Sequence, residues 1–224
     1  MDFSILEMKN WIQSDPRLSS IHRTIEKGDS ADAAHDLSHL YRVAHWALIL
    51  NEKNEAADKV VAAALLHDLI NLPKNHPDRS NASTLSAEAA GQILKSSGFS
   101  DSEIAEIQSA IRDHSYSRGK VPETFLGKIL QDADRLEAIG AIGLMRVFST
   151  GARIGATYFH AQDPWAKTRV LDDRAFSIDH FFTKLLLLEN SFHSPKAKVE
   201  AKKRTDFMRN FLQQLGHEIG EPSP

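Results

Sequence analysis

The chain contains no cysteine. A disulfide framework, a thiolate zinc site and a cysteine nucleophile are therefore excluded, and any metal must be held by nitrogen and oxygen ligands. No run of about 18 apolar residues occurs, which argues against a membrane-spanning helix. The first residues, Met1 to Lys9, show no basic stretch followed by an apolar one, so the expectation is a cytoplasmic protein, neither exported nor membrane-spanning. An excess of one charge is also missing: 27 Lys and Arg stand against 30 Asp and Glu, a net charge of -3. That balance supplies no global pull toward a nucleic-acid duplex or an anionic membrane. With 42% hydrophobic residues in 224, the composition is that of a compact folded chain and excludes a disordered or fibrous one.

Strand-like alternation is scarce too, whereas apolar spacings of three and four recur throughout. Leu40, Val43, Ala47 and Leu50 form one such stripe, and Val60 and Ala64 lead through a second to His67 and Asp68. Segments 87–95, 101–114, 124–139, 176–189 and 196–215 repeat the pattern, separated by Pro73, Pro77, Gly98, Gly119, Pro122, Pro164 and Pro195. Asp36 and Ser100 are placed to cap helices. The prediction is all-α: a single helical bundle over 1–224, with a core over about 20–155 and C-terminal helices over 174–217 packed on it. Two long irregular stretches, 71–80 and 151–173, are of the kind that carries function. Lys196, Lys198, Lys202, Lys203 and Arg204 read as a solvated basic face. The glycines around Ala141 follow no strand, so they fail as a dinucleotide fingerprint and fit close helix packing instead.

Histidine is plentiful and uneven: of 11, seven lie between positions 22 and 114 (His22, His35, His39, His45, His67, His76 and His114). Histidine ligates metals and titrates near neutral pH, so such clustering points to a metal or acid–base site. His67 and Asp68 are adjacent and diverge by about 100° on a helix, yet both can converge on one ion beside it. His39 shares the apolar side of its helix with Val43 and Leu50, and Asp134 lies one turn beyond Leu130, so both point inward. Two imidazoles and two carboxylates make a mixed site with positions left for water. Buried carboxylates need a partner or a metal. On pattern alone, hydrogen-bonded core histidines remain the competing reading.

Four segments in fixed order carry a resemblance: His35-Asp36-Leu37-Ser38-His39-Leu40-Tyr41-Arg42-Val43, Leu65-Leu66-His67-Asp68, Ile111-Arg112-Asp113-His114-Ser115, and Gln131-Asp132-Ala133-Asp134-Arg135 through Gly143. Together they resemble the HD-domain superfamily of metal-dependent phosphohydrolases, and within it a bacterial subfamily similar to nucleoside triphosphate pyrophosphohydrolases. The resemblance implies His39, His67, Asp68 and Asp134 as ligands of one divalent ion, with Mn, Co, Ni, Fe, Zn and Mg all open. Asp68 is then catalytic as well, and His114 faces the substrate phosphate. His35 and Asp36 match a subfamily feature, as a layer behind the ligands or, for Asp36, simply as a helix cap. Asn71 occupies the position where several nucleotide-acting relatives carry an acidic residue that orients water. An amide can orient water but cannot act as a base, which leaves that role to Asp132, Glu137, a ligand carboxylate or the ion. Lys74, Arg79 and, more weakly, Arg42 are the candidate phosphate-binding cations.

The implied activity is hydrolysis of phosphate esters or anhydrides in nucleotides or similar small metabolites, since a divalent ion activates water and polarises a phosphoryl oxygen. The expected partner is a small phosphorylated substrate, a nucleotide by preference, with no nucleic-acid duplex and no membrane. Apolar helix faces fit either a core or a homodimer surface. Two alternatives stand beside this: a cyclic-nucleotide or other phosphodiesterase, disfavoured because a second metal usually takes two extra histidines and His76 is the only candidate near His114, and a non-catalytic nucleotide-sensing module, which Asn71 favours.

Overall fold

In the computed structural model of the chain, the described residues are 4–26, 37–70, 72, 76, 78–115 and 118–224. They form ten α-helices: α1 (Ile5–Ser14), α2 (Pro16–Glu26), α3 (Leu37–Ile49), α4 (Ala57–Leu66), α5 (Ala82–Ser96), α6 (Asp101–Asp113), α7 (Phe125–Leu136), α8 (Gly140–Ile154), α9 (Asp179–Thr183) and α10 (Pro195–Ile219). Among the described residues there is no strand, only an isolated bridge between Thr157 and Phe176, and no helix is long and apolar enough to cross a membrane. The fold is all-α. It divides into two compact units, 1–134 and 135–224.

In the first unit the organising element is α4. Seven consecutive residues, Val60 to Leu66, are each 1% exposed or less. A helix apolar all round must be covered all round, and α2, α3, α5 and α6 all pack on it. Three alanines, Ala62 to Ala64, keep its girth small enough for four neighbours. The stripe on α3 lies where its spacing predicts, with Leu40, Val43, Ala47 and Leu50 buried. At the start of α6 a full capping box forms, Ser100 Oγ accepting from the Glu103 amide while the Glu103 carboxylate accepts from the Ser100 amide. Helices α1 and α2 are short and marked by no long stripe, yet Met8, Ile12, Leu18 and Ile21 bury their inner faces completely. Pro16 starts α2 where its missing N–H is harmless.

In the second unit, two segments differ from expectation. The irregular stretch expected from Gly151 begins only after Ile154, because α8 continues until Gly155 (φ +77°) ends it in the left-handed region. The predicted helix over 176–189 divides into α9 and a 3₁₀ segment, Leu185–Ser191, broken at Lys184. In that segment the buried leucines, Leu185 and Leu188, are three apart, the spacing that eclipses in a 3₁₀ turn. The loop between α8 and α9 is tied by two carboxylates. Asp163 accepts from the amides of Lys167 and Thr168 at 2.8 Å and of Arg169 at 3.2 Å. The fully buried Asp179 takes a two-pronged contact from Arg169 at 2.5 and 2.7 Å. The glycines serve packing as expected: a Cβ at Gly140 would come within 3.0 Å of the Arg204 side chain of α10. The basic side of α10 is internally paired, Lys202 with Asp206 and Arg204 with Glu200.

Candidate metal centre

Five residues of the first unit converge: His39 from α3, His67 and Asp68 from the end of α4, His114 from the end of α6, and Asp134 from α7. His67 and His114 reach the cluster by the same local device. Each caps its helix and directs Nδ1 at the carbonyl three residues back, His67 to Ala64 at 2.7 Å and His114 to Ile111 at 2.6 Å. Nδ1 donates to that carbonyl in each ring, and Nε2 turns inward. The negative ends of two helix dipoles therefore meet at the cluster, which favours a cation there.

The inward atoms stand at long contact distances. His67 Nε2 lies 3.4 Å from Asp68 Oδ2 and 3.8 Å from Asp134 Oδ1, while Asp134 Oδ1 is 3.7 Å from His39 Nε2 and Asp68 Oδ1 is 3.8 Å from His114 Nε2. Ligands held about 2.1 Å from one ion are separated by roughly 3 to 3.5 Å, so these spacings are near those of a coordination shell. His67 Nε2 is buried with no short hydrogen bond and faces two carboxylates, a placement that suits an ion held between them. Two overlapping triads, His39–His67–Asp134 and His67–Asp68–His114, each bring their ligand atoms within 4.8 Å of one another. The donor set fits a divalent ion, and His67 belongs to both triads.

Charge follows the geometry. Burial disfavours the charged form of His67, but the Asp68 and Asp134 carboxylates outweigh it and push the ring up to about 9. Burial, then the adjacent His67, hold His114 below its ordinary value. Burial raises the Asp134 carboxyl, but the imidazoles, His67 foremost, outweigh that and hold it below the usual range. The three rings are sealed from solvent, whereas the side chains of Asp68 and Asp134 are 28% and 27% exposed. The carboxylate side is the open side.

The remaining predicted residues fall into place unevenly. Arg42 sits on α3, one turn from His39, and donates to the Ser38 hydroxyl at 2.9 Å. Arg79 donates to the Leu72 carbonyl. His35, Asp36, Asn71 and Lys74 lie outside the described residues. Asp132 is fully buried and about 200° around α7 from Asp134, so it does not share the face of the cluster. Glu137 is buried too and belongs to the second unit.

Residues not singled out by sequence hold the scaffold, chiefly from the first turns of α5. Ser86 accepts from the Ile70 amide at 3.0 Å, Ser83 donates to the Arg112 carbonyl at 2.9 Å, and Thr84 accepts from Arg118. One helix start thus anchors the segments after Asp68 and around His114. The signal was the run Ser83-Thr84-Leu85-Ser86, which reads as ordinary helix-start polarity until the partners are known.

A family model described as HD domain matches residues 36–139. The uncharacterized protein YpgQ of Bacillus subtilis (strain 168) is 34% identical over 192 residues, 84% of this chain and 85% of that protein. The crystal structure of Bacillus subtilis YpgQ in complex with ADP superposes with a TM-score of 0.66 at 29% identity, covering 96% of this chain and 94% of that one. A predicted HD superfamily hydrolase from an uncultured Thermotogales bacterium gives a TM-score of 0.63 at 29% identity, covering 94% and 98%. An HD-superfamily hydrolase from Bacillus thuringiensis gives 0.67 at 27% identity, covering 94% and 97%. With a His-Asp pair between an upstream histidine and a distant aspartate, all converging in space, this chain belongs to the HD-domain superfamily.

Proposed function

We propose that the protein is a metal-dependent phosphohydrolase acting on nucleotides or similar small phosphorylated molecules. The observation that carries this reading is the convergence of His39, His67, Asp68, His114 and Asp134, with imidazoles sealed and carboxylates open. One divalent ion held by His39, His67, Asp68 and Asp134, with His114 closing the ring beside Asp68, would activate water and polarise a phosphoryl oxygen. The sealed imidazoles fix the ligand geometry and keep solvent from the back of the site. The half-open carboxylates leave room on the substrate side, where Lys74, Arg79 and Arg42 are the cations for the remaining phosphate oxygens and Asn71 orients water. The relative crystallised with ADP supports a nucleotide as the phosphorylated ligand.

The test is a screen of nucleoside mono-, di- and triphosphates with Mn, Co, Ni or Mg, read as release of phosphate and of pyrophosphate. Asp68→Ala is expected to abolish release, a loss of at least about a thousandfold for a group that both ligates and positions. Turnover persisting in that variant rules out the site. The sharing of His67 between two triads keeps a two-ion phosphodiesterase as the second reading, and metal analysis giving two ions per chain decides for it.

A further inference from the structure

Gln131 lies on α7 one turn before Asp134 and is fully buried. Its Nε2 approaches three backbone carbonyls, of Asp113 at 3.2 Å, His114 at 3.0 Å and Lys120 at 3.1 Å. Three acceptors around one atom identify that end as the amide nitrogen, because an amide oxygen there would find no proton. Asp113 and His114 are the last residue and the cap of α6, whose final carbonyls have no partner inside the helix. A single amide therefore joins the end of α6 and the Lys120 carbonyl to the helix that carries Asp134. Apolar packing does not call for an amide at this point, since Leu126, Ile129 and Leu130 fill the buried side of the same helix.

We infer that Gln131 is a positioning residue for the candidate metal centre, setting His114 against His67 and Asp68 through the end of α6. The inference rests on the reading that the cluster holds a divalent ion. Gln131 touches neither ion nor substrate and acts through the backbone of His114. The ring of His114 is fixed on the same turn by Ile111, so a shift of that backbone moves Nε2 directly.

Cobalt titration of the full-length protein, read by visible absorption and calorimetry, tests this. In the wild type cobalt binds, and His67→Ala removes the binding. Gln131→Met, close in volume but without donors, is expected to weaken cobalt affinity about tenfold to a hundredfold, because a displaced His114 no longer orients the ligand Asp68, whose Oδ1 lies 3.8 Å from its Nε2. Its absorption band should move in the same sense as that of His114→Ala, and the double variant should lose little more than either single one. Leu18→Ala, a core change in α2, lowers the melting temperature and leaves the cobalt band in place, which separates positioning from mere loss of stability. A wild-type band and affinity in Gln131→Met, or additive losses in the double variant, overturn the inference. Should Gln131→Met fail to fold by circular dichroism, Gln131→Asn, one methylene too short to span three carbonyls, is read by the same criteria. Absence of cobalt binding in the wild type, or binding untouched by His67→Ala, overturns the metal reading and the inference with it.

Discussion

The histidines that looked alike by count do different work. His39, His67 and His114 present Nε2 to the carboxylates, while His22 is a core residue: its Nε2 pairs with the Tyr41 hydroxyl and its Nδ1 lies 3.4 Å from Glu26. Burial pulls His22 below its ordinary pKa and pushes Tyr41 up to about 12, so the pair is neutral at physiological pH. His76 is exposed and accepts from the Asp78 amide. A carboxylate outside the cluster gives the clearest pH prediction. Hydrogen bonds from Thr168, with those of Lys167 and Arg169, hold the Asp163 carboxyl at about 2. A depressed carboxyl contributes stability above its unfolded value of about 4 and loses it as pH falls through its folded value. Between about pH 4 and about pH 2 the wild type should therefore lose more stability than Asp163→Asn. Urea midpoints at pH 7 and pH 2.5 check this, and equal acid losses in the two proteins would refute it.

At the scale of elements, α6 shows function and stability assigned to opposite ends. Its N-terminus carries the Ser100–Glu103 box, which faces solvent, and its C-terminus carries His114. Ser100→Ala should cost about 1 kcal/mol, a fall of about 2–4 °C in melting temperature, without changing metal affinity. Calorimetry and a metal titration on the same variant measure both. Helix α4 explains why the ligand pair could be read from sequence: continuous apolar residues from Val60 to Leu66 admit only burial, so the first polar pair after them must lie at the edge of the core. The segment 176–189 was harder, because its apolar spacing suits an α-helix and a 3₁₀ turn alike, and local spacing cannot say which one the packing selects. In α8 the stop at Gly155 rather than Gly151 depends on conformation. Gly151 stays within the helix and leaves room for Ser177 where a Cβ would clash, whereas Gly155 turns left-handed.

For the whole molecule, all five donors belong to the first unit, so metal binding should couple to its folding. An ion that binds only the folded state at a hundred times its Kd adds about 2.7 kcal/mol, or about 5–10 °C in melting temperature for a chain of this size. Thermal scans with Mn, Co, Ni and Mg, and with a chelator, measure it. An unchanged melting temperature with every metal contradicts a metal centre. The small net charge is compatible with an anionic ligand, because a divalent ion held at the cluster would set the local field independently of the surface total.

Residue chemistry and short-range spacing were determined by the sequence alone. The lack of cysteine leaves nitrogen and oxygen as ligands, the stripes define helices, and His39, His67, Asp68 and Asp134 each stand on an inward face. These depend on periodicity within about two turns, which a linear reading carries. Only the tertiary structure decided which faces meet: that His114 shares His67 and Asp68, and that Gln131 closes the end of α6 from another helix. Those relations depend on the crossing of helices far apart in sequence, set by packing around α4, and no local pattern contains them.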